Sequence, residues 1–257
     1  MDTTPSDPII KRLPYNIGSG VGERARIGLL VLESDQTIEE EFRLLTTLPG
    51  VSIYHARLEN GADVTTEMLS QMEEQIPKTA RLLPSYLGIK AIGYGCTSGS
   101  TVIGERRVEE ILSEAHKGVP STNPLSAAKA ALKIMGVKRL GLITPYSPNI
   151  TSVMQRNFNN ANLQVTIVGS YFEESDINVG RIDEDSIFNA VISIGESDKC
   201  DGVFISCTSL RAAKIIEKAE KAIDKPVTSS NQALAWHLLR LAGIKDTISG
   251  FGSLFSK

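Results

Sequence analysis

Three cysteines carry the chemistry that stands out in this chain: Cys96, Cys200 and Cys207. Their number excludes a disulfide framework, and the lack of any CxxC or Cys/His pattern excludes a zinc centre. Two of them share their surroundings, because Cys96 stands in GYGCTSGS and Cys207 in ISCTSLR, each followed by Thr-Ser. Each Cys-Thr-Ser follows a strand-like run and is expected to open a helix, aiming the backbone N–H groups of Thr97, Ser98, Thr208 and Ser209 outward. Such a helix start attracts carboxylates and phosphates, and it is expected to lower both thiol pKa values from the usual ~8.5. Two thiols facing each other across a small carboxylate fit one job. One sulfur removes a proton or attacks a carbon while the other delivers a proton on the opposite side, a racemase or isomerase arrangement that calls for no metal or organic cofactor. A lone strand-end cysteine is more commonly a small buried hydrophobe. Cys200, at a strand start after Asp198-Lys199, is assigned to packing.

The elements that must position these cysteines read as alternating strand and helix. RIGLLVL (26–32), VSIYHA (51–56), IKAIGYG (89–95), RLGLITP (139–145), LQVTIVG (163–169), CDGVFIS (200–206) and KPVTSS (225–230) are short, apolar and β-branched. Helical length and period occupy Glu39–Leu48, Thr65–Leu83, Arg106–His116, Leu125–Met135, Ser186–Ser197, Leu210–Ile223 and Ala233–Ala242. The alternation predicts an α/β fold with parallel sheets buried on both faces. A repeat lies over it: RIGLLVL returns as RLGLITP 113 positions later, IKAIGYGCTSGS as CDGVFISCTSLR after 111, and VPSTNPLSAAKAAL as VTSSNQALAWHLLR after 108. These offsets place Cys96 on Cys207 and Asn123 on Asn231. Two similar α/β halves are predicted, a first domain of residues 24–122 plus 230–257 and a second of 123–229, with the active loops across a shared cleft. Residues 1–23, ending in NIGSGVGE, fit neither repeat and form an N-terminal arm, which could cover the domain interface or a neighbouring subunit or lack order.

Composition narrows the function. With 27 basic and 30 acidic residues in 257, the chain has no electrostatic footprint for nucleic acid. No apolar stretch approaches the ~20 residues of a membrane span, and the start, MDTTPSDPIIKRLP, lacks a basic segment followed by an apolar run. A cytoplasmic protein without nucleic-acid or membrane partners is expected.

On the motifs GYGCTSGS, ISCTSLR and LITPYS, the chain resembles the aspartate/glutamate racemase superfamily, and within it the maleate cis-trans isomerase and arylmalonate decarboxylase branch. VLESDQTIEEEFR and VTSSNQALAWHLLRLAG extend the resemblance to the ectoine-utilisation racemase-like proteins. The resemblance covers the chain from about Gly22 to its end. It implies two Rossmann-like α/β domains related by a pseudo-twofold axis, a cleft active site, no cofactor, and a homo-oligomer of two or four chains. It further implies that Cys96 is the nucleophile or base, that Cys207 is the general acid, and that Tyr146 bonds a substrate carboxylate together with the amides of the two CTS turns. Arylmalonate decarboxylases keep only the second cysteine, so Cys96 argues against decarboxylation.

Two departures bear on the substrate. Asp35, in Glu33-Ser34-Asp35-Gln36-Thr37, and Asp176, in SDINVGR, stand where maleate isomerases carry Asn. An ionised Asp only accepts hydrogen bonds and repels a carboxylate, which speaks against maleate itself and for a small carboxylate that also bears an amino or amide nitrogen. Asp35 reads equally as the N-cap of the next helix. The rival functions are decarboxylation of a malonate derivative and a non-catalytic small-acid binding protein. Asn123 and Asn231 read as helix caps, Arg211 as either a carboxylate ligand or a solvated helix residue, and His55 and His237 as structural. The run Glu39-Glu40-Glu41 reads as a solvated first turn. GYGCTSGS does not match a nucleotide-binding GxGxxG.

Overall fold

A strand that is apolar beyond its first residues can be buried only between two layers, and the central strands of this protein are of that kind. The computed structural model describes residue 8 and residues 10–61 and 66–257. Its first sheet is formed by β1 (Ala25–Leu32), β2 (Val51–Leu58), β3 (Ala91–Gly95) and β4 (Ser121–Thr122), in the order β2-β1-β3-β4 and parallel throughout. The second is formed by β5 (Arg139–Thr144), β6 (Gln164–Ser170), β7 (Gly202–Ile205) and β8 (Val227–Ser229), in the order β6-β5-β7-β8 and again all parallel. The two orders are the same, so the sequence repeat is a repeat of topology. Ile27, Leu29, Leu30 and Val31 on β1 and Leu140, Leu142 and Ile143 on β5 are buried, and each such side chain contributes roughly 1.5–3 kcal/mol of burial.

The helices in chain order are α1 (Ile38–Leu45), α2 (Thr66–Ala80), α3 (Thr97–Ile103), α4 (Glu105–Ala115), α5 (Pro124–Ile134), α6 (Pro148–Asn160), α7 (Asp176–Val179), α8 (Glu184–Gly195), α9 (Ile216–Ile223) and α10 (Ser230–Leu241). Gly28 and Gly141 occupy equivalent places on β1 and β5 and do the same work. A Cβ on Gly28 would meet Leu83 at 2.6 Å, and one on Gly141 would meet Ile194 at 2.6 Å, so each central strand lets a neighbouring side chain close on its backbone. After β8 the chain crosses back, and α10 packs against β3 and α5.

The predicted repeat needs one correction. Asn123 caps α5 by accepting from the N–H groups of Leu125 and Ser126, whereas the cap of α10 is Ser229, which accepts from Gln232. In the sheets, Ser121 lies beside Ile92 and Val227 beside Val203. Asn123 is therefore equivalent to Ser229 and not to Asn231. The run of similar letters hid a two-residue slip.

The expected helix from Leu210 starts only at Ile216. The short strand β4 and helices α6 and α7 go beyond the sequence reading. The expected arm is described at residues 8 and 10–23, while residues 1–7 and 9, and Thr65 of the expected second helix, lie outside the described residues. Residues 10–21 are exposed. Arg26 ties down the end of the arm, donating to the carbonyls of Ser19 and Val21.

Candidate active site

Cys96 follows β3 directly and caps α3. Its backbone is extended (φ −147°, ψ 116°), its Sγ accepts from the Gly99 N–H at 3.2 Å, and the Ser98 hydroxyl lies 3.5 Å from the sulfur. A cap of this kind presents sulfur and the first helical amides on one side of the turn.

Cys207 follows β7 at the equivalent place but has φ 125°, a region that side chains with a Cβ rarely enter. No helix begins there, and Thr208, Ser209 and Leu210 form a turn. Partners distant in sequence hold this turn. The Cys207 N–H donates to Ser230 Oγ at 3.0 Å, Thr37 Oγ1 donates to the Ser209 carbonyl at 2.9 Å, and Asn231 Nδ2 donates to the Thr208 carbonyl at 2.8 Å. The Glu41 carboxyl completes the frame, accepting from the Ala213 N–H at 2.7 Å and from Asn231 Nδ2 at 2.8 Å. Ser230 joins the two turns, because its hydroxyl also accepts from Thr97 Oγ1 at 2.8 Å.

Between the turns lies a cavity of about 20 Å³ lined by Cys96, Thr97, Ser98, Tyr146, Asp176, Cys207 and Thr208, with Leu32, Asn60, Gly61, Leu69 and Met72 forming the rest of the wall. A water needs about 10–15 Å³ by this measure. The cavity thus has room for about one water. No lysine, arginine or histidine is among the described residues that line it. The one charged group among the described lining residues, Asp176, accepts from Ser209 Oγ at 2.6 Å and from Ser34 Oγ at 2.5 Å. Ser34 is in turn bonded to Asn60 Nδ2 at 2.9 Å.

Burial governs the protonation of the site. It pushes the Cys96 thiol up to about 11, against the opposing pull of Ser98 and the Gly99 amide. It pushes the Cys207 thiol further up, with the Asp176 charge adding to the effect. Burial also raises Asp35 to about 6 and Glu41 to about 7. The expectation that both thiols would be acidified is therefore overturned: desolvation outweighs the helix start at Cys96, and at Cys207 there is no helix start. Both cysteines rest as thiols at neutral pH.

Of the residues singled out in the sequence, Cys96, Thr97, Ser98, Tyr146, Asp176, Cys207 and Thr208 converge on the cavity, and Asp35 and Ser209 stand behind it. Asp35 does cap a helix, since its Oδ1 accepts from the N–H groups of Thr37 and Ile38; its buried Oδ2 has no partner among the described residues. Glu41 corrects the reading of the acidic run. Glu39 and Glu40 pair with Arg57 and Arg43 at the surface, but Glu41 is buried. Arg211 is exposed and donates to the Ile182 carbonyl, outside the cavity lining. His237 bonds Thr122 and stacks on Trp236. Sequence reasoning missed Ser230, Asn60 and Glu41. Ser230 sits one position beyond the cap of α10, where the equivalent residue of the first half is Pro124, so the repeat gives no signal for it.

With this geometry in view, comparisons with known proteins identify the family. The profile of the arylmalonate decarboxylase family matches residues 39–255. The maleate isomerase of Geobacillus stearothermophilus is 22% identical over 244 residues, covering 90% of this chain and 97% of that protein. The arylmalonate decarboxylase of Bordetella bronchiseptica is 27% identical over 142 residues, 54% of this chain and 59% of that one. Among solved structures, a mutant of the Nocardia farcinica maleate cis-trans isomerase with a covalently bound succinylcysteine intermediate superposes with a TM-score of 0.82 at 24% identity, over 90% of this chain and 98% of the other. The paired parallel sheets are thus the fold of these enzymes, and the chain belongs to the arylmalonate decarboxylase family, whose members similar to it include maleate isomerases.

Proposed function

We propose that this chain is a cofactor-independent isomerase of a small carboxylate that works with two thiols. The observation that carries the reading is the meeting of Cys96 and Cys207, from equivalent strand ends of the two halves, in one cavity. Cys96, with an amide and a hydroxyl at its sulfur, is the easier of the two to ionise and serves as base or nucleophile. Cys207, whose thiol is held higher by burial and the Asp176 charge, keeps its proton and serves as acid. In racemisation, Cys96 sulfur takes the α-proton and Cys207 gives one to the opposite face. In cis-trans isomerisation, Cys96 sulfur adds to the double bond, rotation follows, and the sulfur leaves. The N–H and hydroxyl groups of Thr97, Ser98 and Thr208 and the phenol of Tyr146 are the donors available to the carboxylate and to the enolate-like charge.

Asp176 favours racemisation of a substrate that also carries an amino or amide nitrogen. A second carboxylate, as in maleate, would approach an acidic group that already uses both oxygens to accept from serines and would find no cation on the described wall. The resemblance to ectoine-utilisation racemase-like proteins places ectoine breakdown products in the set to be assayed. Solvent-deuterium incorporation across small amino-acid derivatives tests the reading: label at the α-carbon of one of them supports it, and brisk maleate turnover with inert amino-acid derivatives overturns it. Decarboxylation of a malonate derivative is the second reading, favoured by the Bordetella relative. It requires only Cys207, and carbon dioxide release distinguishes it.

The division into residues 24–122 plus 230–257 and residues 123–229 is proposed on the same footing, supported by the return of α10 onto β3. So is a cytoplasmic homo-oligomer, whose association is supported by the exposed Ile10, Leu13, Tyr15 and Ile17 of the arm.

A further inference from the structure

Tyr94 lies two residues before Cys96 on β3, fully buried, and unlike Tyr146 it is absent from the cavity lining. Its hydroxyl has no hydrogen-bond partner among the described residues. A buried hydroxyl left unpaired is costly, and Phe would fill the same volume without that cost.

Gly99 explains where the hydroxyl points. A Cβ on residue 99 would collide with Tyr94 Oη and stand 3.1 Å from Cys96 Sγ, so phenol oxygen and sulfur approach the same bare face of α3. Residue 99 also supplies the N–H that the sulfur accepts at 3.2 Å. Burial beside the sulfur holds the Tyr94 hydroxyl well above its ordinary pKa, so it stays a donor.

We propose that Tyr94 is a positioning residue whose hydroxyl donates to the Cys96 sulfur once that sulfur is ionised, stabilising the thiolate from behind the cavity. A thiol is a weak acceptor and a thiolate a strong one. The bond therefore forms only in the reactive state, the condition under which an interaction accelerates a reaction without also tightening the resting state. With Gly99 and Ser98 it gives Cys96 three donors against the desolvation that pushes its thiol up. Tyr146, which lines the cavity, remains free for substrate.

The inference rests on Cys96 being a reacting thiol. Its test is the alkylation rate of each cysteine by iodoacetamide at pH 8, resolved by peptide mass spectrometry, in the full chain and in Tyr94→Phe. Loss of about one pKa unit of stabilisation cuts the thiolate fraction about tenfold, and the greater nucleophilicity of the more basic sulfur returns part of it, leaving Cys96 about threefold slower. The Cys207 rate should not change, and the thermal midpoint should not fall, because Phe relieves the unpaired buried hydroxyl. An unchanged Cys96 rate overturns the proposal, and so does an equal fall at both cysteines, which would mark a packing disturbance. Site-specific 3-fluorotyrosine at 94, a stronger donor on the same ring, should speed Cys96; a slower or unchanged rate there also overturns it. Turnover that survives Cys96→Ala would instead sink the two-thiol reading, and the alkylation result would stand.

Discussion

The two Cys-Thr-Ser turns have the same three residues at the ends of equivalent strands, yet their backbones differ. At Cys96 the chain is extended and runs into α3, and the turn is held largely by its own next residues, through the Gly99 amide and the bond from Ser100 Oγ to the Cys96 carbonyl at 2.6 Å. At Cys207 the chain takes φ 125° and no helix follows. That turn is held from outside, by Thr37 and Glu41 of the first half and by Ser230 and Asn231 of α10. The first thiol is thus placed locally and the second by the assembly of the two halves. A duplicated motif has kept its chemistry while its two copies have come to depend on different parts of the chain.

The division of labour can be broken most severely at the second thiol. Cys207→Ala should cost turnover about 10²–10⁴-fold, the range for a lost general acid, while iodoacetamide still reacts with Cys96; loss of Cys96 reactivity in this variant would show that the turns are not separately built.

The next effect is on stability. Burial raises Glu41 from 4.5 to about 7 and Asp35 from 3.8 to about 6, so the folded protein binds these protons more tightly than the unfolded chain does. The stabilisation is fully present below the unfolded values and is lost as pH rises through about 6 to 7, on the order of 2–3 kcal/mol for Glu41. Denaturant unfolding at pH 5.5 should therefore show a more stable protein than at pH 8, and Glu41→Gln should flatten the difference. Equal pH dependence in the variant would remove Glu41 from the account.

Ser230→Ala leaves the Cys207 N–H without its acceptor and unties it from Thr97. With about 1–3 kcal/mol at stake for an unpaired buried donor, kcat should fall roughly tenfold with KM little changed. Of the same order is the backbone strain: at position 207, Gly should exceed Ala in stability by about 1–3 kcal/mol because φ 125° suits only a residue without a Cβ, and the gap at position 96 should be smaller.

Much of this molecule was legible in its letters. Alternating apolar runs and amphipathic stretches revealed parallel sheets, because a strand buried on both faces must be apolar throughout. The repeated Cys-Thr-Ser located the cavity. Geometry that depends on distant residues was not legible. Nothing in Thr208-Ser209-Leu210-Arg211 announces a turn in place of a helix, since the groups that hold it are Glu41, bonded to Ala213 from 172 positions away, and Asn231, bonded to Thr208 from α10, 23 positions on. Glu41 looked like its neighbours Glu39 and Glu40, because helical spacing fixes which face a residue shares but not what packs there. The thiol acidities were misjudged for a related reason: a helix start is visible in sequence, whereas desolvation is a property of the assembled core.

The claim that two thiols act together is tested most directly by deuterium incorporation from heavy water into a panel of small carboxylates, amino-acid derivatives among them, by the wild-type protein, Cys96→Ala and Cys207→Ala. Turnover with label is expected from the wild type, and neither turnover nor label above background from either variant. Near-native turnover in either single variant would contradict it.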